Sequence, residues 1–353
     1  MNSTAPHAPE AVCLGESLVT FLPSRPGRLA DVPSFDRSLG GAESNVACTL
    51  AGAGHRTRWV SRVGADGFGD YLVRAVAAYG VDTSAVGRDP HRPTGVYFRT
   101  AGERATGPDG GPDLSEVLYY RAGSAASAMS AETVAAADTD AGRVLHLTGI
   151  TAALSADCLG LLRRLTADRP GRPLVSFDVN YRAGLWPGAP AGPEVLLDLA
   201  RGCDVVFVGE DEAEAAWGVA GGPAAVRAAL PEPPVLVVKE GPAGATAFTP
   251  QTPGGLFAPA ARVDVAAPVG AGDAFAAGFL SATLRGLPPL ERLRHGHLFA
   301  AAALTVPGDL AAPPSREHAG ELAALPDDDW GRLHLGPGWT AGAGTPAGKA
   351  RTP

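Results

Sequence analysis

The stretch Val269-Gly270-Ala271-Gly272-Asp273-Ala274-Phe275 brings together residue types able to hold negative charge and to move a proton. Gly270 and Gly272 let backbone approach a ligand closely. Behind them Phe275, Phe279, Leu280 and Leu284 recur at helical spacing. The turn therefore opens a helix, whose first N–H groups lack internal partners and lie at the positive end of the macrodipole. Such a terminus suits a phosphate or a developing oxyanion. Asp273, in the first turn, reads in two ways: a carboxylate that only complements the dipole, or a base acting on whatever the turn holds. A short Gly-x-Gly-Asp motif alone does not choose between them.

Other polar candidates sit where strand-like or helical runs begin and end. Gly40 and Gly41 precede the helical pattern of Val46, Leu50 and Ala53, with Asn45 near its start. The glycines read as a turn, or as backbone brought against a substrate while Asn45 turns its amide to the substrate's hydroxyls. The runs 95–99 and 117–121 flank a loop rich in Gly, Pro and Asp, residues 102–116. Strand alternation puts Tyr97 with Arg99, and Tyr119 with Arg121, on one face each. This predicts a hairpin whose polar-aromatic face serves either edge solubility or a site.

From residue 143 onward, apolar runs at 144–148, 174–180, 205–208 and 235–239 alternate with helical patterns such as 155–167. A parallel sheet buried on both faces requires that arrangement. Ligands of open α/β sheets gather beyond the C-terminal strand ends. Asp178, Asn180, Arg182, Glu212 and Lys239 fall there, with Gly241 and Gly244 just after Lys239. Asp178 and Asn180 also read as turn formers, and Glu212 as a first-turn helix carboxylate.

Composition narrows the classes. A chain of 353 residues, 45% hydrophobic and 19% charged, has an ordinary globular balance and suits one large α/β sheet. The net charge of −8, without a Lys/Arg cluster, argues against a nucleic-acid partner. Cys13, Cys48, Cys158 and Cys203 lack CxxC spacing and sit among apolar residues, which predicts buried free thiols in a reducing compartment. His295 and His297, without Cys or carboxylate partners nearby, read as a surface helix feature rather than as metal ligands. Residues 1–10 carry no signal-peptide pattern and no 18-residue apolar run follows, so no membrane partner and a cytoplasmic protein are expected. The Gly-, Pro-, Ala- and Thr-rich residues 336–353 predict a disordered tail.

The phrase around Asp273 resembles the C-terminal signature of the ribokinase-like sugar kinases, the PfkB family. The run Gly40–Ala47, followed by Trp59–Gly69, resembles the N-terminal signature of the same family. Two separated signatures in the right order are far more specific than either alone. The absence of a Gly-x4-Gly-Lys-[Ser/Thr] loop also suits that family. The resemblance covers about residues 11–325. It implies a ribokinase-like three-layer α/β/α fold with a mostly parallel central sheet, plus a small β-sheet lid with strands near 18–23 and 95–121. It further implies ATP as phosphoryl donor, Asp273 as the base that deprotonates the acceptor hydroxyl, and Gly270, Ala271 and Gly272 as the anion hole. Lys239, Gly241 and Gly244 match the strand and turn that lie beside the nucleotide. Glu212 matches the acidic residue that organises Mg2+ through water, with Gly209 standing where the family's motif has Asn. Ala267 replaces an acidic residue that in the family helps bind a monovalent cation, which argues against K+ activation. Lid sheets of this sort often pair, so a homodimer or higher homo-oligomer through the lid is expected.

Within the family, the runs 14–17, 41–45, 119–125 and 177–182 look most similar to 2-keto-3-deoxygluconate kinases. That likeness implies an acceptor site built from Gly40, Gly41, Asn45, Tyr97, Tyr119, Arg121, Asp178, Asn180, Arg182 and Asp273. Arg121 and Arg182 would offer two guanidinium forks to the carboxylate and neighbouring ketone of a sugar acid. A neutral hexose would leave both charges unpaired. The expected reaction is ATP-dependent phosphorylation of the acid's terminal hydroxyl. Fructokinases and related ketose kinases share most of these motifs and form the alternative. A sugar-acid sensor without turnover is a third reading, against which the joint presence of Gly270, Gly272 and Asp273 speaks.

Overall fold

The apolar runs of the sequence become the strands of one nine-stranded sheet. The structure, a computed structural model, describes residues 8–25, 27–100, 117–189 and 191–341. In chain order the strands are β1 (Ala11–Leu14), β2 (Leu18–Pro23), β3 (Phe35–Gly40), β4 (Thr57–Gly64), β5 (Val86–Asp89), β6 (Val96–Arg99) and β7 (Val117–Tyr120). There follow β8 (Val144–Thr148), β9 (Leu174–Asp178), β10 (Val205–Gly209), β11 (Val235–Lys239), β12 (Gly244–Thr249), β13 (Thr252–Pro259), β14 (Arg262–Val263) and β15 (His334–Leu335). The main sheet runs β13-β12-β11-β10-β9-β8-β1-β4-β5. Every pairing from β5 to β11 is parallel, and the edge pairings β11–β12 and β12–β13 are antiparallel.

Successive residues on these strands feed two separate cores, as the pleat requires. Val205 and Phe207 of β10 point to the layer that holds the helices Ala42–Gly52, Ala271–Leu284 and Pro289–Leu304. Val206 and Val208 point to the layer of the helices Ala156–Thr166 and Val195–Arg201. Burial on both faces makes the strands read as continuous apolar runs. The chain winds to opposite sides of β1, through β4 on one and β8 on the other. A crevice at the C-terminal strand ends follows from that reversal.

A second sheet, ordered β3-β2-β6-β7, stands beside those ends. Strand β3 was not anticipated: its Asp36, Arg37 and Ser38 obscure the alternation, yet it pairs along its whole length with β2. Tyr97 and Arg99 of β6 are buried on the inner face, while Phe98 stacks outward on Phe21 with 4.7 Å between ring centroids. Phe35 and Tyr120 complete that outer aromatic face, with Tyr120 60% exposed and Leu118 46%. The expectation of a homo-oligomer through this sheet falls on that face. The long loop expected at 102–116 lies outside the described residues.

Two expectations need correction. His295 and His297 are buried, not on a surface: the close-packed neighbouring helix and β13 cover them, and His297 Nε2 lies 3.0 Å from the Ala258 carbonyl. Burial holds the His297 imidazole down at about 4, so it is neutral. The folded part also runs on past residue 325. The helix Asp327–Arg332, β15 and a turn at Trp339–Ala341 pack against the main body, burying Trp330 and Trp339. Residues 336–341 are therefore packed, because Trp339 anchors them, while 342–353 lie outside the described residues. Among the described residues, no helix is long and apolar enough to cross a membrane.

Candidate active site

Gly270 caps the helix Ala271–Leu284 in the left-handed region, φ 73°, and a Cβ there would lie 2.2 Å from the Asp309 carbonyl oxygen. Only glycine fits that turn. It aims the N–H groups of the first helical turn at the crevice, and Gly272 is exposed beside them. Asp273 receives 2.9 Å from Asn45 Nδ2 at Oδ2 and 3.4 Å from Asn180 Nδ2 at Oδ1. Two amides thus fix the carboxylate by donating to both of its oxygens. Asn180 is the one non-glycine with positive φ among the described residues, at 43°. Asn tolerates that conformation better than most residues, and such strain gathers at functional sites. The amide oxygens of Asn45 and Asn180, and the Thr20 hydroxyl, are buried without a partner among the described residues. Orphaned acceptors of this kind are costly and mark places that a ligand's hydroxyls can complete.

The next residues differ from expectation in what they touch. Lys239 Nζ lies 3.0 Å from each oxygen of Asp178, so the residue expected beside the nucleotide and one expected on the sugar form an ion pair in which Asp178 is buried and Lys239 partly so. Burial works against the Lys239 charge, but Asp178 and Glu212 outweigh it and hold the ammonium above its usual range. Nζ also lies 3.8 Å from where a Gly272 Cβ would stand, which sets a cation beside the turn. Gly241 sits in an open turn at φ 58°, whereas Gly244 is filled from behind by Ala258 and Phe257 of β13. Glu212 accepts from the Gly209 N–H at Oε2 and from Arg182 Nη1, at 3.3 Å, at Oε1.

The second sheet supplies the remaining expected residues. Arg121 does not stand alone: Nε donates 2.8 Å to Glu16 Oε2 and Nη2 donates to the same oxygen, while the Ser124 hydroxyl donates to Oε1. Tyr97 hydroxyl donates 2.9 Å to Asp309 Oδ2, and Arg99 Nη2 donates 2.6 Å to Oδ1. Tyr119 stacks on Tyr97 at 5.2 Å, its ring partly exposed. A Cβ on Gly40 would meet the Tyr97 hydroxyl, Asp309 and Thr20, and one on Gly41 would meet the backbone of Glu16. Both glycines thus bring protein against protein at the floor of the crevice. Sequence reasoning missed Glu16 and Asp309. Glu16 lies two residues past the end of β1, so the rule of the strand ends could have found it. Asp309 in Pro-Gly-Asp reads locally as a turn and nothing more.

Glu43 was also missed. It is fully buried, accepts from Thr148 Oγ1 at 2.7 Å and Thr151 Oγ1 at 2.8 Å on one oxygen, and leaves the other without a partner among the described residues. Burial pushes its carboxyl up to about 7, against the lowering pull of the two hydroxyls. A pKa raised by folding contributes stability that is complete below the ordinary value of 4.5 and lost as pH rises through about 7. Denaturant titrations from about pH 4 to about pH 8 are expected to show this protein losing about 3 kcal/mol relative to its Glu43→Gln variant, whose amide mimics the neutral acid. Parallel profiles for the two proteins would remove the assignment.

The implied metals meet different fates. Glu212 has both oxygens engaged, and among the described residues no three His, Cys, Asp or Glu side chains form a metal cage. That donor set is compatible with a Mg2+ ion that phosphates and water would hold, which Glu212 would reach through water. Ala267 offers a side chain without oxygen, and its N–H turns to the Leu304 carbonyl. The acidic ligand of a monovalent site is missing there.

Comparison with known proteins adds to this geometry. The sequence profile of the pfkB family carbohydrate kinases matches residues 8–316. The chain is 35% identical over 312 residues to the 2-dehydro-3-deoxygluconokinase of Bacillus subtilis (strain 168), covering 87% of this chain and 93% of that one. It is 30% identical over 334 residues to a probable chloroplastic fructokinase of Arabidopsis thaliana, covering 90% and 83%. Among solved structures, the 2-dehydro-3-deoxygluconokinase of Thermotoga maritima superimposes with a TM-score of 0.77 at 26% identity, covering 90% of this chain and 99% of that one.

Proposed function

The chain belongs to the pfkB family of carbohydrate kinases, and from that premise we propose that it transfers the γ-phosphoryl group of ATP to the terminal hydroxyl of 2-keto-3-deoxygluconate. The observation that carries the phosphotransfer reading is the Asp273 carboxylate, held by two amides in the first turn of a glycine-capped helix. Asp273 takes the proton from the acceptor hydroxyl as that oxygen bonds to the γ-phosphorus and the bond to the bridging oxygen of ADP breaks. Charge growing on the transferred group meets the N–H groups of Ala271 and Gly272 and the positive end of the helix. Lys239 adds a cation beside Gly272. When bound, Mg2+ neutralises phosphate charge, and Glu212 would hold it through water. The second sheet acts as a lid over the sugar, excluding the water that competes as acceptor.

The sugar-acid reading draws on the likeness to the Bacillus subtilis enzyme and on Arg182, 40% of whose side chain is exposed at the crevice. The ketose alternative has one observation in its favour. Both arginines already face protein carboxylates, Glu16 and Glu212, so the expected penalty for a neutral acceptor is absent. ADP release from Mg-ATP with 2-keto-3-deoxygluconate, fructose, ribose and gluconate decides between them. The keto-deoxy acid is expected to exceed fructose by at least about tenfold in kcat/KM. Faster turnover of fructose would install the ketose reading, and binding of the acid without turnover of any sugar would install the sensor.

A further inference from the structure

Glu16 is 2% exposed and lies at the C-terminal end of β1, two residues past Leu14. Its partner Arg121 follows β7 in the second sheet, so the pair ties that sheet to the main one. The contact is one-sided. Nε and Nη2 both donate to Oε2, occupying the side edge of the guanidinium, while among the described residues Nη1 donates no hydrogen bond. Ser124 fixes the other carboxylate oxygen, and a Cβ on Gly95 would stand 3.1 Å from Oε1, so Glu16 has little room to turn. The Arg121 guanidinium carbon also lies 5.6 Å from the centre of the Tyr119 ring.

We propose that Glu16 is a positioning residue that holds Arg121 by its side edge, so that the Nη1–Nη2 end meets the carboxylate of an acidic sugar. This rests on the reading of Arg121 as a substrate contact. A lone arginine would draw anions by charge alone, from many orientations. Paired with Glu16, it recognises a carboxylate by two directed hydrogen bonds at one angle. The neutralised pair trades general attraction for selection.

Steady-state kinetics with 2-keto-3-deoxygluconate and ATP test it in Glu16→Gln, Arg121→Ala and the double variant. Glu16→Gln is expected to raise KM for the acid about tenfold, the scale of one misplaced charge-assisted hydrogen bond, with kcat and KM for ATP within about twofold. In the Arg121→Ala background the same change is expected to do nothing further, since residues acting through one contact are not additive. Ser124→Ala, a milder change if Glu16→Gln does not fold, is expected to raise KM about twofold to threefold and only while Arg121 is present. Equal effects with and without Arg121, or a fall in kcat at constant KM, would overturn the proposal. A silent Glu16→Gln or Ser124→Ala beside a damaging Arg121→Ala would also overturn it, while leaving the Arg121 contact intact. A silent Arg121→Ala would remove both.

Discussion

Replacing Asp273 by Asn is expected to lower kcat by about a thousandfold, with KM for sugar and ATP changed by less than about threefold. The new side chain keeps the shape of the old one and can still accept from Asn45 Nδ2, a shorter contact than the one from Asn180. Of this pair it loses the longer one, from Asn180. Ground-state binding should therefore survive, while the proton of the acceptor hydroxyl has nowhere to go. General bases contribute about a hundredfold to ten-thousandfold, and this one also stands in the anion-holding turn. ADP release under saturating substrates reads the effect. A residual rate within about tenfold of the parent would show that Asp273 is not the base.

The second large effect is expected at Asp309. Arg99 and Asp309 are both buried, and Tyr97 donates to the same carboxylate. Asp309→Asn leaves the Arg99 guanidinium buried and, among the described residues, without a counter-charge, and its Nε already lacks a partner among them. Breaking one side of such a pair costs about 3–5 kcal/mol. The urea midpoint should fall accordingly, and joint replacement of Arg99 and Asp309 by Met and Leu should recover most of it, because well-packed apolar groups often match a buried pair. An unchanged midpoint in Asp309→Asn would mean that the Arg99 charge does not depend on Asp309 for compensation. Because Asp309 also presents its backbone to Gly270, the variant tests whether the second sheet and the Asp273 turn loosen together.

The sequence disclosed the sheet and the Asp273 turn for a physical reason. Strands buried on both faces need unbroken apolar runs, and a glycine-capped helix needs its glycine, so both leave local marks. Strand β3 left none, since half of it faces solvent with Asp36 and Arg37. The pairings that define the site are non-local: Asn45 meets Asp273 across 228 positions, Arg99 meets Asp309 across 210, and Arg121 meets Glu16 across 105. No spacing rule reaches that far. Types and strand ends therefore pointed to Arg121, Asp178 and Lys239 as site residues, and only the fold disclosed that each already has a charged neighbour.

The four cysteines give the molecule a means of reporting its own breathing. Cys13 and Cys48 lie in the layer beside the Asp273 helix, and Cys158 and Cys203 lie in the opposite layer. All four are free and buried, and burial pushes the Cys48 thiol up to about 12 and the Cys158 thiol up to about 11. Only thiolate reacts with alkylating or disulfide reagents, so labelling waits for the surrounding packing to part. Each layer thus carries two silent clocks that start when it opens. Mass-resolved labelling would time the two halves of one chain separately, without any added probe.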